Sequence, residues 1–267
     1  MDSINLNQQN VTALKNRFDL VTRMGRDMLT SGSEIFRTKQ AMHIAARRMG
    51  LEEFEVYLLT NGIFATMSLE GKLYSSRIFQ VPLSPIMLNR VDELNALSRR
   101  IGEGACSPEE VSQELDRIEA IPMPAPGVQV FGAGIGSLGF CYLFRGTVAD
   151  SFVALTAGLL LWAFVLWVLR DVIPSKPMRT SAAAFFVAFL VCLMYRLGWG
   201  DSLDSIMIGA IFPLVPGVPL TNAFRNFTEN DYLSGLIRLI DTLLTAGALA
   251  VGVGAAIGLA MRLGLLV

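Results

Sequence analysis

The sequence predicts an α+β cytosolic domain of order ααβββαα, followed by an all-α membrane domain of five transmembrane helices. Three observations carry this reading. Charge is unevenly spread: residues 1–125 hold 14 Lys/Arg and 16 Asp/Glu, and residues 126–267 hold only 8 and 7, so the two stretches suit different solvents. The first stretch switches from helical periodicity to strand texture and back. The second contains five long runs without charge, most of them near the roughly 17–25 residues that a membrane span needs.

Composition excludes several classes. A net charge of −1 supplies no basic face for nucleic acid. A chain that is 52% hydrophobic is not an extended disordered one. Cys106, Cys141 and Cys192 lie too far apart for a disulfide framework or a zinc site. The N-terminus is polar and lacks the basic and apolar regions of a signal peptide, so residues 1–125 are expected to stay in the cytoplasm.

The elements follow in order. Leu14, Phe18, Val21 and Met28 share one face of a first helix over about 10–30. Ser31 and Glu34 have capping-box spacing for a second helix. That helix runs to about Met49, with Gly50 as its stop and Arg47 and Arg48 favoured in its last turn. Residues 54–60, 63–69 and 72–81 read as a three-stranded antiparallel meander. Asn61-Gly62 suits a type I′ hairpin turn, and Glu70-Gly71 is a weaker signal of the same kind. Helices return after Pro82 and Pro85, with Met87, Val91, Leu94 and Ile101 on one face. Ser107, Pro108 and Glu110 open a further helix as cap, N1 proline and capping-box acid, and Val111, Leu115 and Ile118 follow on its apolar face. Pro122, Pro124 and Pro126 form a stiff linker, which puts the domain boundary at 125/126.

The charge-free runs are 126–144, 151–169, 181–195, 205–224 and 242–261. The third is short unless it continues past Arg196 to Trp199. With the soluble domain inside, Arg170, Lys176, Arg179 and Arg225 fall in inside loops, and Arg145 and Arg262 fall outside. That bias has the positive-inside sense and places the C-terminus outside, in a multi-pass protein.

Some motifs invite chemistry. Gly134-x-Gly136-x-x-Gly139 matches a dinucleotide fingerprint but has no βαβ context and no acidic residue about 20 positions on. Helix packing is the better account, with Gly132 and Gly136, and Gly254 and Gly258, at small-xxx-small spacing. His43 is the single histidine. A membrane-bound hydrolase using Ser31 or Ser33 with His43 is an alternative, but no nucleophile elbow is present. No metal site or cofactor is expected, and the absence of a P-loop favours ion coupling over ATP hydrolysis.

Pro213, Pro216 and Pro219 recur every third residue inside an apolar run, with Gly217 between them. Prolines cannot continue a regular helix. A broken span marks either a transporter site or a structural kink. Beyond it lie Asn222, Arg225, Asn226, Asp231, Arg238 and Asp241. Arg238 and Asp241 are three apart and share a helix face. Ionisable groups in a span serve a solute or proton pathway, or pair with one another.

These residues together resemble the threonine/serine exporter family. The resemblance rests on Gly25, Ser31, Gly32, Glu34 and Arg37, on Thr60 to Ile63, on Phe144, Gly146 and Asp150, and on Pro213 to Gly217 with Asn222, Asp231, Ser234, Gly235 and Arg238. Arg145 and Asn226 depart from the small and the acidic residue common there. The resemblance implies the YjjP-like subunit of the two-component form, in the bacterial inner membrane, with a smaller YjjB-like membrane subunit as partner. It implies export of a small carboxylate solute, either threonine and serine or a C4-dicarboxylate such as succinate. The expected pathway residues are Pro213, Pro216, Gly217, Asn222, Arg225, Asp231, Arg238 and Asp241. A homo-oligomer, or a non-transporting membrane scaffold, is the rival expectation.

Overall fold

The computed structural model describes residues 2–69, 72–81 and 86–266. The Glu70-Gly71 turn and the restart at Pro82 and Pro85 lie outside the described residues. The chain packs as two compact units. The first comprises residues 1–123 and 222–237, and the second comprises residues 124–221 and 238–267. The first crossing falls between Met123 and Pro124, not at 125/126, while residues 222–237, grouped with the membrane run by sequence, pack with the N-terminal unit.

In the first unit, α1 (Asp2–Thr30) and α2 (Ile35–Arg48) precede β1 (Glu53–Leu59), β2 (Gly62–Leu69) and β3 (Lys72–Gln80), and α3 (Leu88–Gly102) and α4 (Pro108–Glu119) follow. The sheet is antiparallel in the order β1-β2-β3. Inward residues alternate along β1, where Phe54, Val56 and Leu58 are buried and pair with Met67, Ala65 and Ile63. Period-2 alternation on one face is what a half-buried sheet requires. The core joins Phe18, Met28, Met42, Ile63, Leu94 and Leu115. The Ser107 capping box forms, with Ser107 Oγ accepting from the Glu110 amide and Glu110 accepting from the Ser107 amide.

Two local expectations fail in this unit. Ser31 does not cap α2; its N-cap is Glu34, which makes no capping bond through its side chain. Gly32 takes φ +91 and closes α1, with the Ser33 amide donating to the Met28 carbonyl. That C-terminal turn consumes the residues a capping box would need. The β1–β2 loop is Thr60-Asn61, because Leu59 pairs with Gly62. Neither Asn61 nor Gly62 has positive φ, so the turn is not type I′. Hydrophobic alternation does not distinguish the two registers, since both keep Leu58 facing the core.

The second unit contains α5 (Pro126–Leu143), α6 (Val148–Phe164) with a π-helical extension to Leu169, a short α7 (Arg170–Val172), α8 (Lys176–Arg196), α9 (Leu203–Ile211), and the ends of α10 (Gly217–Thr228) and α11 (Tyr232–Arg262). Its core is small and apolar: Cys141, Ala154, Ala157, Leu161, Val187, Val191, Ile206 and Ala210. Three helices among the described residues are long and apolar enough to cross a membrane: Val148–Leu169, Lys176–Arg196 and Tyr232–Arg262. A fourth is added if Leu203–Leu214 and Gly217–Thr228, bent by 63°, form one span. Five were expected. The run at α5 is diluted by five glycines and Gln129. The third run gains length backward to Lys176, not forward to Trp199, because Gly198 at φ +76 ends the helix.

Close helix packing in this unit uses other glycines than those the spacing singled out. A Cβ on Gly158 would lie 2.2 Å from Ser137 Oγ, and one on Gly209 would lie 2.7 Å from the Ser137 carbonyl oxygen. Gly134 and Gly252 are equally tight. Gly132, Gly136, Gly254 and Gly258 have nothing within 4 Å, so their faces are open.

Candidate functional site

The predicted site residues divide between the units. In the first, α10 ends and the chain turns through Asn230, at φ 62. Asp231 then caps α11, its Oδ1 accepting from the Ser234 amide at 3.2 Å. The Asp231 amide donates to the Asn226 carbonyl at 2.9 Å. Gly235 allows this turn to close on Phe227, since a Cβ there would lie 2.5 Å from the ring.

This segment meets two distant motifs of the same unit. Arg225 Nη1 donates to Glu34 Oε1 at 2.6 Å, and Arg225 Nε donates to Glu229 Oε1 at 3.2 Å. Arg37 Nε reaches the other Glu34 oxygen at 3.2 Å. The Thr60 hydroxyl donates to the Ser234 carbonyl at 3.4 Å, and both residues are buried. Of the residues that carried the resemblance, Glu34, Arg37, Thr60 and Ser234 are therefore brought together, with Arg225 joining them. Sequence reasoning assigned Glu34 to a cap. Its partner Arg225 lies 191 residues away, and no local signal marks such a pair.

In the second unit, the proline-rich break has a definite form. After α9, Phe212–Leu214 makes a single 3-10 turn containing Pro213. Val215 is extended, and Gly217 opens α10. Pro216 and Pro219 remove the donors that would reach the carbonyls of Phe212 and Val215. Those carbonyls accept instead from the amides of Val215, at 3.0 Å, and Gly217, at 2.9 Å. The break thus supplies its own donors for these two carbonyls. A Cβ on Gly217 would meet nothing within 4 Å. Asn222 is half-buried on α10, within the first unit.

Of the two alternatives for Arg238 and Asp241, the mutual ion pair is not formed. Asp241 Oδ2 accepts from Lys176 Nζ at 2.6 Å, at the start of α8. Arg238 makes no ion pair among the described residues. Sharing a helix face is not enough, and a cation placed N-terminal to its acid is the weaker orientation.

Asp150 is the residue that the site reading missed. It is fully buried, and its carboxylate accepts four bonds. The Thr147 amide and hydroxyl donate at 2.9 Å each, the Asp201 amide at 2.7 Å and the Ser202 amide at 3.2 Å. It ties the α5–α6 loop to the α8–α9 loop. Gly146 and Gly200 permit this, because a Cβ on Gly200 would lie 2.8 Å from Asp150 Oδ1 and one on Gly146 would lie 2.6 Å from Cys141 Sγ. The Thr147-x-x-Asp150 spacing is a capping-box signal that could have found it.

Nothing assembles around His43. Its ring lies edge-on to Phe54 at 5.8 Å. Burial, then Lys39 and Arg47, lower its pKa. Among the described residues no hydrogen bond joins it to Ser31 or Ser33, and Ser33 Oγ is buried without a partner.

The family model described as "Putative threonine/serine exporter" (ThrE) matches residues 19–260. A curated relative, "Threonine/serine exporter" from Corynebacterium glutamicum, is 23% identical over 249 residues, covering 90% of this chain and 50% of the relative. The chain thus spans about half the length of that relative. No solved structure matches. With a family match over nearly its whole length and apolar helices of spanning length, this chain belongs to the threonine/serine exporter family, a family of transporters and not of enzymes.

Proposed function

We propose that this chain is a subunit of a secondary transporter that exports threonine and serine across the bacterial inner membrane. The observation that carries the reading is the proline break at 212–217, a helix interrupted and bent inside an apolar run. Transporters place solute sites at such interruptions, where half-helix ends face the solute. Pro213, Pro216 and Gly217 would line the pathway, and Asn222, Arg225, Asp231, Arg238 and Asp241 would serve solute or protons near it. Five spans, with α5 as the glycine-rich one, would put the N-terminal unit in the cytoplasm and the C-terminus outside. A smaller YjjB-like subunit would complete the pathway. The open faces of Gly132 and Gly136, and of Gly254 and Gly258, supply close-approach surfaces for its helices.

The test is efflux of threonine, serine and succinate from cells with this chain, the companion, both or neither. Threonine and serine efflux only with both chains is the expected result, and succinate efflux alone would move the solute to the C4-dicarboxylates. Pro216→Ala combined with Gly217→Leu should abolish efflux at normal membrane levels. A Cβ at Gly217 would meet nothing within 4 Å in this chain. Full efflux from this double variant would remove the pathway role of the break.

A further inference from the structure

We propose that a cavity in the first unit binds a zwitterionic amino acid through Lys39 and Asp231. The cavity measures about 420 Å³, within the size range of small-molecule sites. It lies between the first turns of α2, the end of β1 and the α10–α11 turn. Its lining carries both signs of charge and three rings: Lys39, Glu229, Asp231, Phe36, Tyr57 and Tyr232.

The charges are unequally used. Arg225 engages Glu229. Lys39 has no ion pair among the described residues, and Asp231 takes a single hydrogen bond, from a backbone amide to Oδ1. A cation and a carboxylate on one cavity, each without an ionic partner, fit a ligand that carries the two opposite charges. Its carboxylate would meet Lys39, and its ammonium would meet Asp231. Phe36, Tyr57 and Tyr232 are more than half exposed, so their ring faces can add cation–π attraction for the ammonium. A simple anion would leave Asp231 repelling it, and a simple amine would be repelled by Lys39.

Serine and threonine as probes rest on the exporter reading; the charge pattern does not. The experiment is calorimetric titration of the full chain in detergent with L-serine, L-threonine, propionate and ethylamine. Both amino acids should bind, and the two single-charge probes should bind at least tenfold more weakly. Lys39→Met and Asp231→Asn should each weaken serine at least tenfold, and Lys39→Arg should retain it. Lys39 is exposed and Asn still caps a helix, so these variants should fold. Absence of binding, serine affinity unchanged in both variants, or propionate binding as well as serine would overturn the proposal. Efflux separates the two readings. Normal efflux without binding removes this site alone, and binding without efflux removes the exporter reading alone.

Discussion

Ser31 and Glu34 precede α2 in the first unit, and Thr147 and Asp150 open α6 in the second, at identical spacing. Their outcomes diverge. Asp150 is fully buried and spends its carboxylate on three backbone amides and a hydroxyl. Glu34 keeps about a quarter of its side chain exposed and spends its carboxylate on Arg225 and Arg37. The first arrangement is a fixed clamp, because four hydrogen bonds converge on one buried carboxylate. The second is an ion pair with one half-exposed partner, which solvent weakens. Asp27 lies between these cases. It is partly buried, its Oδ2 has no hydrogen bond, and burial pushes its pKa up to about 6 against the moderating charges of Arg26 and Arg23.

The largest effect should come from Asp150→Ala. It removes the acceptor of four hydrogen bonds, and bonds to a charged group contribute about 1.5–3 kcal/mol each. The expected result is a drop of several kcal/mol, read as a thermal midpoint in detergent more than ten degrees lower or as failed membrane accumulation. An unchanged midpoint would show that the clamp carries no stability, and the contrast with Glu34 would collapse.

Asp27→Asn should act in the opposite direction. A carboxyl whose pKa is higher folded than unfolded holds its proton more tightly in the fold, so stability falls as pH rises from about 4 to about 6, then levels. A shift of about two pKa units corresponds to at most roughly 3 kcal/mol. The variant should therefore be more stable than the parent at pH 7.5 by about 1–3 kcal/mol and equal to it near pH 4. Thermal unfolding of the two proteins at both pH values measures this, and an equal benefit at both would refute the linkage.

Glu34→Gln should change stability by less than about 1 kcal/mol, since Arg225 is nearly half exposed. If the pair serves transport, efflux falls while the thermal midpoint holds. Unchanged efflux would leave the pair a surface contact. The smallest effect concerns helix ends. Gly32 closes α1 at φ +91, and Arg145 occupies the same left-handed position after α5 at φ 67. Arg145→Gly should stabilise by about 1 kcal/mol, the usual cost of a side chain there, measurable as a small rise in thermal midpoint.

How much was legible can be judged residue by residue. Val111, Leu115 and Ile118 are buried on α4 as their spacing required, and the Ser107 box closes, because a cap and its helix are neighbours in sequence. The Arg238–Asp241 pair failed on a question of aim: a shared face does not say whether Lys176, on another helix, is nearer. The small-xxx-small spacing found glycines but not the packed ones, because identical spacing occurs on faces that meet a helix and on faces that do not.

The sequence by itself determined the ααβββαα order of the first unit, its antiparallel meander and the proline break, and it pointed to the family. These follow from local sterics and from periodicity, which act over a few residues. Tertiary structure alone decided that residues 222–237 pack with the N-terminal unit, that Glu34 meets Arg225, and that Asp150 joins two loops. Each of these depends on contacts across more than 50 residues of chain. A carboxylate's partner is chosen by which donors burial brings within reach, and no local pattern encodes that choice.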